Sequence, residues 1–355
     1  MENVTENTIE LKNVSVEFPG VKALNHACLK LQAGSVRAVV GANGAGKSTM
    51  MKVLSGVNSN YTGEVCFNDE PVEIRSTGDA KMLGIEIVYQ EVDTALIPTL
   101  SVGENIMIEH FVYGLKNRSF VDWKYIFSTS DMLLKELNLQ LDSRTLVSNL
   151  SLAQKQMVLI ARAIHCRCRF LIFDEPTAPL SDTETQKLFE IVRQLKSEGV
   201  GIIFISHRLQ EIFEICDDIT VMRDGCIIDS FPITKEVTID HIVSLMLGDA
   251  RIDTLDKSNR QIGEVALSVE HFSDKKHRIH DIDFNIRSGE IVGVAGLVGA
   301  GKTELCKALF GVYGKTNGTM MINGKPATVA SPAQAVKSGL AFIPEERRKE
   351  GVVVG

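Results

Sequence analysis

The chain alternates short apolar runs with stretches of helical spacing. Val36–Val40 is a mostly β-branched run that ends at Gly41, and Met50, Met51, Val53 and Leu54 follow at helical spacing. Arg169–Phe173 and Gly201–Ile205 are continuous apolar runs, which predicts strands buried on both faces. Between them Leu188, Ile191, Val192 and Leu195 recur with the helical period. Strand, helix, strand in that order predicts βαβ units, hence a parallel sheet with helices packed on it: the α/β class. Asn105–His110 and Leu133–Leu137 also read as helix, and the Met50–Met51 pair reads as core. Residues 249–263 are polar and without period, the pattern of a linker.

Part of this pattern occurs twice. Gly41-Ala-Asn-Gly-Ala-Gly46-Lys47-Ser48 and Gly296-Leu-Val-Gly-Ala-Gly301-Lys302-Thr303 both fit G-x-x-x-x-G-K-[ST], and they lie 255 residues apart. The same spacing pairs Gly34 with Gly289, Gly56 with Gly311, Gly63 with Gly318, Pro71 with Pro326 and Gly84 with Gly339. An ungapped match of that extent is a duplicated module. The second copy repeats the local plan: Ile291–Ala295 is predicted as the strand before the loop, and Leu305, Ala308 and Leu309 as the helix after it. The stretch 101–248 of the first module has no counterpart in these 355 residues.

Composition narrows the class. Apolar residues are 44% and charged residues 23%, which excludes a disordered or collagen-like chain. No apolar run approaches the ~18 residues of a membrane span, and the acidic first ten residues lack the basic region of a secretory signal. A net charge of −7 argues against an electrostatic grip on nucleic acid. Seven cysteines, odd in number and scattered, read as reduced cytosolic thiols. Cys166 and Cys168, with His165 beside them, have no second pair and form no metal set. Arg347, Arg348 and Lys349 read as a solvated basic face or a contact with a partner module.

The candidate chemistry starts at the first loop. A strand feeding a glycine-rich turn and a helix N-terminus points backbone N–H groups at an anion. Glycine lets backbone approach phosphate oxygens at positive φ. Lys47 would contact β- and γ-phosphates and Ser48 would ligate Mg²⁺, with Gly41, Asn43, Gly44, Gly46 and Thr49 on the same turn. Asp174 and Glu175 end an apolar strand, where carboxylates face the ligand crevice of a parallel sheet. Asp174 is placed to hold Mg²⁺, and Glu175 to polarise an attacking water as general base. Ser151, before an amphipathic stretch, is either a plain N-cap or a hydroxyl presented to a γ-phosphate.

The series and its order carry a resemblance. The chain reads phosphate loop, Ile87-Val-Tyr-Gln90-Glu91, Leu150-Ser151-Leu152-Ala153-Gln154, Asp174-Glu175, then Ile205-Ser206-His207. This resembles the nucleotide-binding subunit of ATP-binding-cassette (ABC) transporters. Phe18-Pro-Gly-Val-Lys-Ala-Leu24, Ala153-Gln-Lys-Gln-Met157, Ala295–Gly301 and Ile343-Pro-Glu-Glu-Arg-Arg-Lys-Glu-Gly351 are similar to the tandem ATPases of bacterial sugar importers of the ribose/galactoside/xylose class. The resemblance covers residues 9–355. It implies a P-loop NTPase cassette over 9–248: a RecA-like parallel core with an antiparallel β subdomain and a helical subdomain at about 91–165. The linker 249–263 and a partial second cassette, 264–355, would follow.

By the same resemblance Phe18 would stack on adenine. Gln90 would sense Mg²⁺ and the attacking water, and His207 would contact the γ-phosphate. Ser151 and Gln154 would complete the site of an opposing cassette. Gly296, Gly299, Gly301, Lys302 and Thr303 would form a second nucleotide loop. The implied ligands are ATP and Mg²⁺. The implied partners are membrane-spanning permease subunits, indirectly a periplasmic or extracellular solute-binding protein, and another cassette, at the cytoplasmic face of the membrane.

Three departures stand out. Ala153 replaces the usual glycine, Lys302 is retained where this subgroup often has arginine, and Glu345 stands where the repeat would place a second Gln90. The expected function is an ATPase that energises sugar import. A ribosome-associated tandem ATPase is the alternative outside transport, disfavoured by a short linker that is not strongly basic. Counterparts of Ser151 and Asp174 would fall beyond residue 355, so neither two-cassette sandwich closes within these residues. The sequence therefore also fits a truncated or split-gene product that binds ATP and needs a partner chain for hydrolysis.

Overall fold

The computed structural model describes residues 7–89, 92–114, 120–248, 261–275, 278–296, 299–314, 316–344 and 350–351. Gln90, Glu345, the 347–349 basic cluster and most of the 249–263 linker lie outside the described residues. The chain divides into two compact units, 1–251 and 252–355.

The first unit opens with β1 (Thr8–Phe18), β2 (Val21–Gln32), β3 (Val36–Gly41), α1 (Lys47–Leu54), β4 (Thr62–Phe67) and β5 (Glu70–Val72). It continues through α2 (Thr77–Met82), β6 (Ile85–Val88), α3 (Val92–Ala95), α4 (Val102–Ile106), α5 (Trp123–Glu136) and α6 (Leu152–His165). It closes with β7 (Phe170–Asp174), α7 (Asp182–Ser197), β8 (Gly201–Ile205), α8 (Leu209–Ile215), β9 (Asp218–Arg223), β10 (Cys226–Pro232) and α9 (Ile239–Leu247).

Six strands form one sheet in the order β10-β9-β3-β8-β7-β6, parallel except for the β9–β10 hairpin. An antiparallel sheet, β2-β1-β4-β5, packs on one side of it. The central strands β3, β7 and β8 are buried on both faces, and their alternation shows how. Val36, Ala38, Val40, Leu171, Phe173, Ile202 and Phe204 point into the core shared with α6–α9. Val39, Phe170, Ile172, Ile203 and Ile205 point into the core shared with α1 and the antiparallel sheet. Each of these strands therefore needs apolar residues at consecutive positions, which is why the runs are continuous. Met50 and Met51 are fully buried in the second of these cores, as read.

The helix expected over Asn105–His110 is displaced. α4 starts at Val102, because Ser101 accepts from the Glu104 N–H while the Glu104 carboxylate accepts from the Ser101 N–H. It ends at Ile106, and a π-helical turn follows at His110–Gly114. Asn105 is fully buried, its amide donating to the Ile97 and Ser101 carbonyls. Both Cys166 and Cys168 are free thiols, and burial pushes them up to about 11 and about 12.

The second unit has β11 (Val265–Ser273), β12 (Ile282–Arg287), α10 (Lys302–Leu309), β13 (Asn317–Ile322), β14 (Lys325–Pro326) and α11 (Pro332–Lys337). Its sheet, β12-β11-β13-β14, repeats the antiparallel sheet of the first unit. The strand expected at Ile291–Ala295 does not form: the segment has no assigned secondary structure and no ladder pairing, with Ile291 76% and Val294 54% exposed. The physical reason lies in the repeat. Its counterpart β3 is held by β8 and β9, and among the described residues the second unit has no strands equivalent to them. Amide hydrogen exchange tests this contrast. Residues 37–40 are expected to be protected on the order of 10³-fold more than residues 292–295.

Candidate active site

Parallel pairing sets the site. β3 ends at Gly41 and the chain turns through 42–46 into α1, while β7 ends at Asp174 beside Ile205 of β8. The loop after β3, Asp174 and Glu175 thereby face one cleft of about 610 Å³. Phe18, Asn43, Gly44, Gly46, Lys47, Ser48 and Thr49 also line it.

Two loop glycines are dictated by packing. A Cβ on Gly41 would strike the Met222 carbonyl, and one on Gly46, at φ 101°, would sit 2.6 Å from the Ala23 carbonyl. Gly44 has open space and is used for its positive φ of 84°. The Lys47 ammonium donates to the Gly41 carbonyl at 2.7 Å and the Ala42 carbonyl at 3.1 Å, which holds its charge over the loop. Burial lowers the Lys47 pKa from its ordinary value, and the Glu175 and Asp174 carboxylates offset part of that.

Glu175 adopts φ 50°, uncommon for a residue with a side chain and of a kind found at functional sites. Its N–H donates to the Ile205 carbonyl at 3.0 Å, which anchors the strained residue to β8. Its Oε1 lies 3.1 Å from Nδ1 of His207, the second residue past β8. Asp174 is raised above the usual carboxylate range, first by burial and next by the charge of Glu175, with Lys47 and Lys52 opposing. The carboxyl groups of Asp174 and Glu175 and the Ser48 hydroxyl on this cleft are oxygen donors of the kind that suit a divalent cation, and the Lys47 ammonium beside them suits an anion.

The other expected residues lie apart from the cleft or outside the description. Ser151 caps α6: its Oγ accepts from the Gln154 N–H and the Gln154 Oε1 from the Ser151 N–H. Both readings of Ser151 therefore use one geometry, a hydroxyl at a helix start, and it does not line the cleft. In the second unit Gly301 stands at the start of α10 with φ 90°, and Lys302 donates to the Gly296 carbonyl at 2.6 Å, the same contact Lys47 makes. Gly299 keeps a φ of 80°, matching Gly44, and Thr303 follows in the first turn of α10. Among the described residues no carboxylate pair ends a strand facing this loop as Asp174 and Glu175 face the first.

Val21, Lys22 and Ala23, within the Phe18–Leu24 segment of the resemblance, also line the cleft, as does Asp224, which the sequence did not single out. The first three open β2, and Asp224 lies on the β9–β10 turn, whose sequence carries no local signal. Also missed was Glu211, buried beneath the site. Its Oε2 accepts from Thr177 Oγ1 and Ser206 Oγ at 2.9 and 2.8 Å.

A doubly covered parallel sheet with a lysine-bearing glycine loop at one edge and a carboxylate pair beside it defines a phosphate-loop nucleotide-binding α/β protein. The profile of ABC transporters matches residues 24–178 and 279–352. A ribose/galactose/methyl galactoside import ATP-binding protein of Agrobacterium fabrum is 41% identical over 349 residues, 98% of this chain and 68% of that protein. The ribose import ATP-binding protein RbsA of Caldanaerobacter subterraneus is 40% identical, over 98% of this chain and 69% of that protein. Among solved structures, a nucleotide-free ATP-binding cassette of an ABC transporter superposes with TM-score 0.59, 24% identity, 67% of this chain and 95% of that one. A cassette in its ADP conformation gives 0.60, 24%, 68% and 99%. The chain belongs to the ABC transporter family, and its fold is that of the ATP-binding cassette. Among the described residues no helix is long and apolar enough to cross a membrane.

The raised Asp174 has a stability consequence. A carboxyl raised in the folded state favours folding when protonated, and that contribution is lost as pH rises through the raised value. Above the raised value the ionised group works against the fold. Asp174→Asn is therefore expected to raise Tm at pH 7 by about 2 °C, and by less near pH 4, in calorimetry without nucleotide.

Proposed function

We propose that this chain is the ATP-binding and ATP-hydrolysing subunit of a bacterial ABC importer for a sugar or a related small polar solute. The observation that carries the reading is the cleft that brings Lys47, Ser48, Asp174 and Glu175 together, with His207 3.1 Å from Glu175. The import names of relatives 40% and 41% identical across 98% of the chain support sugar as the solute class.

In this reading the loop N–H groups, Asn43 and Thr49 hold the triphosphate, Lys47 bridges its β- and γ-phosphates, and Phe18 stacks on the base. The Ser48 hydroxyl and the Asp174 carboxylate would hold Mg²⁺, with Gln90 the third candidate; the ion would neutralise phosphate charge. Glu175 accepts a proton from water as the water oxygen bonds to the γ-phosphorus and the bond to the β–γ bridging oxygen breaks. His207 keeps the Glu175 carboxylate aimed and contacts the γ-phosphate. Ser151 and Gln154 close the site of an opposing cassette.

The first cassette would span 9–248, with its helical part at 91–165, a linker at 249–263 and the N-terminal part of a second cassette at 264–355. Gly296, Gly299, Gly301, Lys302 and Thr303 would hold a second nucleotide; the shared lysine-to-carbonyl contact supports this. Binding closes two cassettes, hydrolysis reopens them, and permease subunits follow the motion at the cytoplasmic face of the membrane. A solute-binding protein delivers the sugar to those subunits.

The test is turnover of MgATP by the full chain and by Glu175→Gln, with nucleotide affinity measured in parallel. Turnover is expected to fall by about 10²-fold or more while affinity is kept. Turnover within twofold of the parent would remove Glu175 from the role of base.

A further inference from the structure

Glu211 lies in the first turn of α8 and is 7% exposed. A carboxylate so buried needs donors, and here they come from two separate loops. Thr177 Oγ1 donates to its Oε2 at 2.9 Å, and Ser206 Oγ donates to the same oxygen at 2.8 Å. Thr177 and Ser206 are themselves 2% and 4% exposed. The other oxygen, Oε1, accepts from Arg208 Nη1 at 3.3 Å, and the Arg208 N–H donates back to Ser206 Oγ at 3.0 Å.

What these hydroxyls are attached to gives the network its meaning. Thr177 follows Glu175 by two residues, in a turn where the Ala178 N–H donates to the Glu175 carbonyl and the Leu180 N–H to the Thr177 carbonyl. Ser206 immediately precedes His207. One buried carboxylate oxygen therefore joins the loop that carries Glu175 to the loop that carries His207, from behind the cleft. Hydrogen bonds to an ionised acceptor are roughly twice as strong as neutral ones and short enough to fix geometry. Glu211 is not among the residues lining the cleft.

We propose that Glu211 is a positioning residue: it sets the separation of Glu175 and His207 by holding Thr177 and Ser206 on one carboxylate oxygen. The proposal rests on the reading of Glu175 as base, and it accounts for a buried charge for which neither nucleotide binding nor the core has a use. Gln in this place keeps one acceptor oxygen for both hydroxyls, whereas Ala leaves both without one.

The experiment compares the full chain with Glu211→Ala, Glu211→Gln, Thr177→Val, Ser206→Ala and Glu175→Gln. It measures MgATP turnover, ATP affinity by fluorescence titration, and amide exchange over 176–181 and 206–209. Glu211→Ala is expected to lose about 10- to 100-fold in turnover with affinity changed less than twofold. Faster exchange in both segments and substantial rescue in Glu211→Gln are expected with it. Thr177→Val and Ser206→Ala, which keep the carboxylate, are each expected to show part of the loss, and they carry the test if Glu211→Ala does not fold. Parent-like turnover or unchanged exchange in these variants overturns the proposal, as does an affinity that falls in step with turnover. Parent-like turnover in Glu175→Gln alone would refute the base assignment separately, leaving the exchange result to decide whether Glu211 ties the two loops.

Discussion

Parallel pairing of β3 with β8, and of β8 with β7, is the constraint from which the rest of the first unit follows. The register sets Val39 beside Ile205 and Ile205 beside Asp174, so β7 and β8 end at one level and β3 two residues beyond it. Whatever follows each strand is then delivered to the same edge: the 42–46 loop, Glu175, and Ser206 with His207. A one-residue slip would reverse the facing of every side chain in the slipped strand, and both faces here are packed against separate cores. The register of the site is therefore as firmly specified as the core itself.

The second unit shows the same rule by contrast. It repeats the antiparallel sheet, the glycine loop and the helix after it, because those elements make their hydrogen bonds among themselves. Ile291–Ala295 has the composition of β3 and lies outside every sheet, since a parallel strand gains its ladder only from neighbours far along the chain. Local pattern states what a segment is able to become; pairing decides what it is.

That difference also explains what could be read beforehand. Phe170–Asp174 and Gly201–Ile205 were legible because burial on two faces leaves an unbroken apolar run. Lys47, Ser48, Asp174 and Glu175 could be picked out because a glycine loop ending in lysine and serine, and a carboxylate pair after an apolar strand, are local patterns; the fold then sets all four on one cleft. β1 and β2 were not, since bulges interrupt their alternation between Leu11 and Glu17. Asp224 sits on the β9–β10 turn, which tertiary folding brings to the cleft. Glu211 was hidden for another reason: an acidic residue in the first turn of a helix looks like a solvated one, and only the packing of Thr177 and Ser206 against it shows otherwise.

The site gathers groups held away from their ordinary states. Asp174 is held above its usual range, Lys47 below its own, and Glu175 in an uncommon backbone region. Ionisable groups shifted by burial and an uncommon backbone conformation gathered on one cleft are the pattern expected where stability is exchanged for function. The most direct measurement is the affinity of a fluorescent ATP analogue for the full chain and for Lys47→Ala, with the fold of each verified by circular dichroism. Affinity at the first-unit cleft is expected to fall by about tenfold or more, the cost of losing a charged hydrogen bond to phosphate. Affinity equal to the parent's in a natively folded Lys47→Ala chain would contradict it.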